Sequence, residues 1–349
     1  MLQANDTVEI RPFEPHAASR AEWAAYQAYR RLRAAQDAPD LPLLEDAEFE
    51  HFLRRQEPLV ETRRLLALRG GEIVGNLVLW VRREGTAGHE DYASYLDTGG
   101  GVATLHRRQG IGRNLLRALH SFMRDHGKSV ATLKANLPEG HAFLAAAGAV
   151  RKLRSVENRL EFAKLDWPTL AAWQARVAET TAPLCWEIHA GRVPVERLAE
   201  LIGPMTRLIN EQPLGELDIP AIRYDMAAYE SWYAEMDRRG GEHYLVVLTA
   251  GDALAAVCDA SWDQRFPDRV YQALTAVAAP WRGQGLAKAV KAAMLLLLRK
   301  RRKEVTTMIT TNAQANAPML SINERLGFQV HREECTYQIG LAALAAFLE

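Results

Sequence analysis

The chain has 349 residues, of which 48% are apolar and 25% charged, and its 43 basic side chains balance its 43 acidic ones. This is the composition of a globular protein of two or three domains, and the charge balance disfavours a general polyanion-binding surface. The three cysteines, Cys185, Cys258 and Cys335, are far apart, and the histidines lack ligand spacing. We therefore expect no disulfide framework, no metal and a reducing compartment.

Neither the amino terminus nor any later segment predicts membrane association. Met1 to Glu9 has no apolar core of signal-peptide length, and Leu295 to Leu298 is too short to cross a bilayer. A soluble cytoplasmic protein without membrane contact is expected.

The first half of the chain is predicted to alternate strands and helices. Apolar periodicity places strands at 8–13, 65–68, 73–81, 92–102, 129–135 and 150–162, and helices at 18–35, 45–53, 111–123 and 139–147. The run Gly99-Gly100-Gly101 in one strand indicates a β-bulge or the close approach of another backbone. Asp166 and Pro168 then predict a linking helix to Ala178, because aspartate caps free N–H groups and proline suits a first helical turn. Residues 180–183 are expected to end this link between the two halves.

The second half repeats this order. Strands are predicted at 184–189, 244–248, 254–262, 270–277, 305–310 and 328–339, and helices at 195–210, 225–238, 284–303 and 316–326. A polar loop, residues 211–218, separates the first two of these helices.

A glycine-rich turn occurs between a strand and a helix in both halves. The turns read Arg107-Arg-Gln-Gly-Ile-Gly and Arg282-Gly-Gln-Gly-Leu-Ala, and each position in one lies 175 residues from its counterpart. The chain therefore reads as two copies of one unit. The predicted domains are residues 1–165 and 184–349, joined by a linker at 166–183.

Each turn predicts an anion site. The first N–H groups of a helix have no intrahelical partner, they lie at the positive end of its dipole, and glycine lets a phosphate approach them. Neither copy has the Gly-Lys-Ser/Thr ending of a nucleoside-triphosphate loop or a complete Gly-x-Gly-x-x-Gly dinucleotide pattern.

With a strand valine five residues before each arginine, and with Asn316-Ala317-Pro318-Met319, Asn323 and Gly327-Phe328 later on, the sequence resembles the GNAT superfamily of acetyl-CoA-dependent N-acetyltransferases. The resemblance covers both halves and is to the tandem members, which include mycothiol synthase. It implies an α/β class with a mixed sheet: two GNAT acyl-CoA N-acyltransferase folds joined by a helix. It also implies acetyl-CoA as cofactor and an amine of a small molecule or peptide as acceptor.

The resemblance assigns the cofactor site to both copies. In the second copy the residues are Val277, Ala279, Arg282, Gly283, Gln284, Gly285, Leu286, Ala287 and Asn316. In the first copy they are Val102, Thr104, Arg107, Arg108, Gln109, Gly110, Ile111 and Gly112.

Proton transfer needs further groups. The candidates to accept the amine's proton are Asp259, Glu216 and Asp218, with Asp97 in the first copy. Many GNAT enzymes protonate the departing thiolate with a tyrosine four residues before the Gly-Phe pair, where this chain has Asn323. Tyr337 or Tyr271 would then serve, or the thiolate would leave unprotonated.

The first copy departs further, since it has Leu144 and Ala149 where the second has Asn323 and Phe328, and no asparagine aligns with Asn316. We expect a catalytic second copy and a first copy that binds CoA without turnover or is structural.

Two other functions remain as alternatives. One is a non-catalytic CoA-binding or sensor protein. The other is nucleic-acid binding through the basic run at 299–303, which is disfavoured because cations are favourable at a helix C-terminus anyway. The sequence predicts no oligomeric state.

Overall fold

The computed structural model describes residues 7–180 and 183–349. Most of the amino-terminal segment judged for a signal peptide (1–6), and part of the expected end of the linker (181–182), lie outside the described residues. The strands are β1 (Glu9–Pro12), β2 (Val60–Arg69), β3 (Glu72–Arg82), β4 (Tyr95–Val102), β5 (Val130–Ala135), β6 (Val150–Glu161), β7 (Cys185–Gly191), β8 (Glu242–Ala250), β9 (Ala253–Trp262), β10 (Arg269–Val277), β11 (Thr307–Ala313) and β12 (Gln329–Gly340). The helices are α1 (Arg20–Asp37), α2 (Asp46–Arg54), α3 (Ile111–Asp125), α4 (Pro138–Ala146), α5 (Trp167–Ala175), α6 (Val195–Asn210), α7 (Met226–Arg238), α8 (Leu286–Arg301), α9 (Ala317–Leu326) and α10 (Leu341–Leu348). The predicted mixed α/β class is confirmed.

Local sequence explains where several helices begin. Ser19 forms a capping box with Glu22 at the start of α1. Asp166 and Asp225 accept backbone N–H groups at the starts of α5 and α7. The linking helix predicted from Asp166 and Pro168 therefore forms as expected, and a short 3₁₀ turn continues it.

The chain divides into two compact units. Unit 1 comprises 1–153, 217–220 and 335–349, and unit 2 comprises 154–216 and 221–334. These units differ from the sequence halves at the last strand of each half. In unit 1, β12 pairs antiparallel with β5, and in unit 2 most of β6 pairs antiparallel with β11. Each unit thus takes its closing strand from the other half of the sequence.

Unit 1 is a sheet in the order β1-β2-β3-β4-β5-β12 with helices on both faces. One face carries α1 and α2 over an aromatic core around Phe13, Trp23 and Tyr26. The other face carries α3 and α4 over a core around Leu115 and Leu119. Helix α10 packs on α3 and was missed from the sequence, although all eight of its residues are apolar.

Unit 2 repeats the arrangement in the order β11-β10-β9-β8-β7, with β6 beside β11. Helices α6 and α7 cover one face, over a core around Met205, Tyr233 and Met236. Helix α8 covers the other face and buries its own Val290 and Met294 in the core. The linking helix α5 packs against α8. Side chains of adjacent strand residues therefore reach different helices.

The parallel strands separate at the same place in both units. In unit 1 the pairing of β4 with β5 ends at Asp97 and Thr132, and in unit 2 the pairing of β10 with β11 ends at Gln272 and Thr310. Asp97 and Gln272 are 175 residues apart. Beyond each point the backbone groups that face the neighbouring strand have no strand partner, which leaves an interstrand gap directly ahead of the glycine turn.

The bulge expected at the glycine run of β4 lies instead in the second copy. The pairing of β3 with β4 continues without a shift from Trp80 to Gly75, whereas the pairing of β9 with β10 shifts between Gln272 and Thr275. The glycines of β4 show the other predicted feature, the close approach of another backbone. A Cβ on Gly100 would lie 2.2 Å from the Asn76 carbonyl oxygen.

Candidate active site

The two glycine turns have the same geometry. Gly110 precedes α3 with φ of 78°, and Gly285 precedes α8 with φ of 80°. Both lie in the left-handed region, which glycine adopts without strain. Gly110 and Gly285 are exposed, as are Gln109 and Gln284 before them. The free N–H groups of each helix therefore face solvent, as a phosphate site requires.

An arginine fixes each turn to the strand before it. Arg107 Nε donates to the Val102 carbonyl at 3.2 Å, and Arg282 Nε donates to the Val277 carbonyl at 3.1 Å. The remaining nitrogens face a carboxylate, Glu139 in unit 1 and Glu211 in unit 2. The guanidinium is thus held at the turn by backbone contact.

The other residues assigned to the cofactor site lie in 3₁₀ turns, at a helix cap or beside the glycine turns. Thr104 and Ala279 begin matching 3₁₀ turns, and Arg108 has φ of 62° beside Gln109. Asn316 caps α9, where its Oδ1 accepts the Met319 N–H at 3.3 Å and its Nδ2 donates to Gln212 at 3.2 Å. The remaining assigned positions, Gly283, Leu286, Ala287, Ile111 and Gly112, lie in or beside the two turns.

In unit 2 the α7 face of the sheet holds Asp259. Asp259 is 9% exposed, and its carboxylate lies 3.3 Å from Nε2 of the fully buried His243. His243 Nδ1 in turn lies 2.8 Å from the Tyr233 hydroxyl. The Asp259 carboxylate therefore lies beside a buried imidazole that in turn contacts a tyrosine hydroxyl.

Aromatic rings surround that carboxylate. Tyr224 and Trp232 each pack edge-on to Tyr229, at 5.9 and 6.0 Å between ring centroids, and all three are partly exposed. Burial, together with the charge of Asp259, raises the pKa of Tyr224 and of Tyr233 to about 12. The Tyr224 and Tyr233 hydroxyls therefore stay protonated at neutral pH.

The α8 face of the same strands holds a buried polar network that the sequence did not predict. Lys291 on α8 is 2% exposed, and its Nζ donates to Gln272 Oε1 and to Asn323 Oδ1, each at 2.8 Å. Asn323 Nδ2 donates to Asn312 Oδ1 at 2.8 Å, and Gln272 Nε2 donates to Thr275 at 2.7 Å. Burial lowers the pKa of Lys291 from 10.5 to about 8, and the nearby thiol of Cys258 opposes that shift.

The remaining catalytic candidates are dispersed. Glu216 is exposed in unit 2, whereas Asp218 belongs to unit 1, where Gln338 Oε1 accepts its backbone N–H at 3.1 Å. Tyr337 also belongs to unit 1, and its hydroxyl lies 3.0 Å from His141 Nδ1. Tyr271 is 40% exposed on β10. The sequence assigned Asp218 and Tyr337 to the second copy, and the structure groups neither with Asp259 or Asn323.

In unit 1 cationic side chains cover the corresponding part of β4. The Arg33 guanidinium lies against Gly101, where a Cβ would be 2.6 Å from Nη1, and the Tyr29 hydroxyl lies 2.9 Å from the Gly101 carbonyl oxygen. Arg30 and Arg33 line a cavity of about 350 Å³ beside Gly100. Asp97 accepts hydrogen bonds from the hydroxyls of Tyr95 and Thr132.

Other features that the sequence analysis raised have structural partners. In the basic run, Arg299 stacks on Trp167 and Arg302 stacks on Trp262 while pairing with Glu242. All three cysteines have free thiols. Within residues 7–180 and 183–349, no cluster of His, Cys, Asp and Glu is arranged to hold a metal, and no helix combines the length and apolarity needed to cross a bilayer.

Each unit joins an interstrand gap to a glycine turn at a helix N-terminus, and comparison with known families assigns this arrangement to the acyltransferase class of protein. The chain belongs to the GNAT acetyltransferase family. Residues 23–148 match the acetyltransferase (GNAT) family, and residues 212–343 match the acetyltransferase (GNAT) domain. The tandem organisation expected from the repeated turn is thereby confirmed.

Solved structures show the same fold over the whole chain. A tandem GNAT protein from the clavulanic acid biosynthesis pathway, solved without AcCoA, superposes with a TM-score of 0.71 at 21% identity, covering 96% of this chain and 99% of its own. A GCN5-related N-acetyltransferase from Sphaerobacter thermophilus gives 0.62 at 15% identity, covering 96% of both chains. A GCN5-related glucosamine N-acetyltransferase region of a fungal multi-domain β-N-acetylglucosaminidase gives 0.65 at 16% identity, covering 95% of this chain and 38% of that one. Among curated proteins, none matches the sequence significantly.

Proposed function

We propose that this protein is an N-acetyltransferase that moves an acetyl group from acetyl-CoA to an amine of a small molecule or peptide, and that unit 2 carries out the reaction. The observation that carries the proposal is the position of Asp259. Its carboxylate lies on β9, the neighbour of the strand that borders the interstrand gap, and half-buried aromatic rings surround it.

The residues of unit 2 fit the two substrates. Acetyl-CoA supplies the activated acyl group, and its diphosphate suits the exposed amides around Gly285 and the charge of Arg282. An amine with a pKa near 10.4 arrives as a cation, which a carboxylate and aromatic faces attract. Asp259 accepts the proton that the amine loses before attack. Unpaired backbone N–H groups of β10 near Val277 would stabilise the charge on the carbonyl oxygen, and such donors are commonly worth about 2.7–4 kcal/mol each.

Unit 1 supports a different role. Its glycine turn is open, but Tyr29 and Arg33, which is paired with Asp37, lie over β4 and occupy space beside the strand. Binding of CoA without turnover accounts for both features in unit 1. A CoA-binding or sensor protein without any turnover is the second candidate for the whole chain.

The decisive experiment follows free thiol released from acetyl-CoA, with and without a panel of aliphatic, aromatic and polycationic amines and short peptides. The proposal expects release that requires an amine and matches the N-acetylated product mole for mole. Binding of CoA without release for every amine would support the sensor. A chain that ignores CoA at millimolar concentration would exclude both.

A further inference from the structure

The buried network on the α8 face of unit 2 is not explained by the fold alone. A lysine is rarely buried unless it is paired with an acid, because removing an ammonium from water costs several kcal/mol. Lys291 is buried with two amide oxygens as partners, and the ring of Phe328 lies 5.0 Å from its Nζ. A core position that only needed filling would hold an apolar residue.

The first copy shows that alternative. By the 175-residue offset of the helices, Leu116 on α3 stands where Lys291 stands on α8. Leu144 aligns with Asn323 because each lies four residues before a glycine, Gly148 or Gly327. Both leucines are buried in the core of unit 1. The fold therefore accommodates an apolar pair here, and the polar pair occurs in the copy with Asp259.

The network lies where the leaving group of the proposed reaction would be. Gln272 is the last residue of β10 paired with β11, so it borders the interstrand gap, and Asn323 occupies the position at which the GNAT resemblance places a tyrosine that protonates the thiolate. Asn323 has no acidic proton. The ammonium bonded to its Oδ1 is an acid, and it is held by Gln272 of β10 and by Asn323 of α9, which bonds in turn to Asn312 of β11.

We propose that Lys291 receives the departing thiolate of CoA, as its counter-charge and its proton donor, in place of that tyrosine. The inference rests on the proposed function. When the carbon–sulfur bond of the thioester breaks, its electron pair stays on sulfur, and one N–H proton of Lys291 moves to that sulfur. The neutral lysine then regains a proton from solvent, while the proton lost by the amine leaves through Asp259.

The surroundings of Lys291 suit this role. The titratable group that acts on it is the Cys258 thiol of β9, whose own pKa burial raises, so the thiol stays neutral. From β10 and α9 it meets the amides of Gln272 and Asn323. Tyr244 of β8, in the same core, has its hydroxyl on Glu242 and Arg302. Burial brings the lysine pKa to about 8, close to the value near 8.5 of a free thiol, which favours proton transfer between the two groups.

The test compares three variants in a Gly110→Asp background, which confines CoA to unit 2. Lys291→Leu/Asn323→Leu copies the apolar pair of unit 1 and so preserves packing. Lys291→Leu/Asn323→Tyr supplies the family's tyrosine. Lys128→Met removes a different buried lysine, one that binds the Tyr92 and Ala93 carbonyls in unit 1, and is the matched control. The measurements are kcat against pH and the ultraviolet titration of the bound CoA thiol.

In the parent, loss of the Lys291 proton should make kcat fall above pH 8. The double-leucine variant is expected to bind CoA, to lose about 10²-fold or more in kcat and to lack this fall. The tyrosine variant should regain activity, with that fall displaced towards pH 10. Lys128→Met should keep the parent profile. An unchanged kcat and profile in the double-leucine variant would overturn the inference.

The thiol titration separates this inference from the proposed function. If no amine supports turnover, the function fails, yet the pKa of the bound CoA thiol still reports on Lys291. It should be lower in the parent than in the double-leucine variant, and equal values would refute the role of Lys291. Absence of CoA binding to unit 2 would refute both.

Discussion

Gly110 and Gly285, 175 residues apart in the chain, hold the same left-handed backbone, with φ of 78° and 80°. A Cβ built on either meets nothing within 4 Å, so the space beside each turn is open. That open space, at the N-terminus of a helix, is where a phosphate would lie.

We predict that Gly285→Asp and Gly110→Asp each abolish one CoA site while the protein stays folded, because the added carboxylate repels the phosphate. Isothermal titration calorimetry should show one site fewer in each variant. Gly285→Ala and Gly110→Ala are the controls, since they impose the same backbone strain of about 1–2 kcal/mol without charge. Unchanged stoichiometry in both aspartate variants would rule out the turns as phosphate sites.

The two arginines of the turns should differ in their effect on catalysis. Arg282→Glu is expected to raise the KM for acetyl-CoA by about tenfold to a hundredfold, because a hydrogen bond to a charged group contributes about 1.5–3 kcal/mol. Arg107→Glu, its counterpart in unit 1, should leave thiol release near the wild-type rate. Steady-state kinetics with the best amine decides, and the opposite pattern would place the reaction in unit 1.

The repeated turn could be predicted from sequence because its geometry is local. Glycine at a fixed position, an arginine five residues after a valine and the apolar period of the helix all lie within about 25 residues. The hydrogen bond from the Arg282 side chain to the Val277 carbonyl follows from that spacing, as does the equivalent bond from Arg107 to Val102. The strand order within each half was accessible for the same reason.

Features that depend on distant residues could not be predicted. The pairing of β12 with β5 joins residues about 200 positions apart, so Tyr337 was assigned to the second copy rather than to unit 1. The three glycines of β4 predicted a bulge or the close approach of another backbone, and the close approach occurs there. The bulge between Gln272 and Thr275 has no glycine to mark it. The sequence holds one sign of the buried network, which is that Lys291 lies on the apolar face of α8. Recognising it required the positions of Gln272 and Asn323.

Asp259→Asn should lower kcat by about 10²–10⁴-fold, because an amide cannot accept the proton of the amine. The variant keeps the shape of the side chain, and CoA binding measured by calorimetry should be unchanged. Glu216→Gln is the control, since that carboxylate is exposed in the loop and is expected to be dispensable. If Glu216→Gln lowers kcat instead, the proton acceptor is Glu216 in the loop and not Asp259.

Lys291 should also make stability depend on pH. Its pKa is about 8 in the folded protein and 10.5 without the burial, so between these values the unfolded chain binds more protons than the native state. The free energy of unfolding contributed by this group therefore rises with pH from about 8 to 10.5. The double variant Lys291→Leu/Asn323→Leu should have a higher free energy of unfolding than the wild type. Urea unfolding at several pH values should show that this difference shrinks across the window. A constant difference would show that the lysine does not titrate there.

Gly100→Ala should destabilise the protein far more than Gly110→Ala, although both glycines have positive φ. Gly100 has φ of 129°, and an added Cβ would lie 2.2 Å from the Asn76 carbonyl oxygen and 3.0 Å from the Leu77 Cα, which are backbone atoms of β3. These atoms cannot move without breaking the pairing of β3 with β4, so we expect a loss of about 3 kcal/mol or more. Gly110→Ala meets no neighbour and should cost about 1–2 kcal/mol. Urea unfolding of the two variants measures the difference, and equal losses would mean that β4 can shift away from β3 at its glycine run.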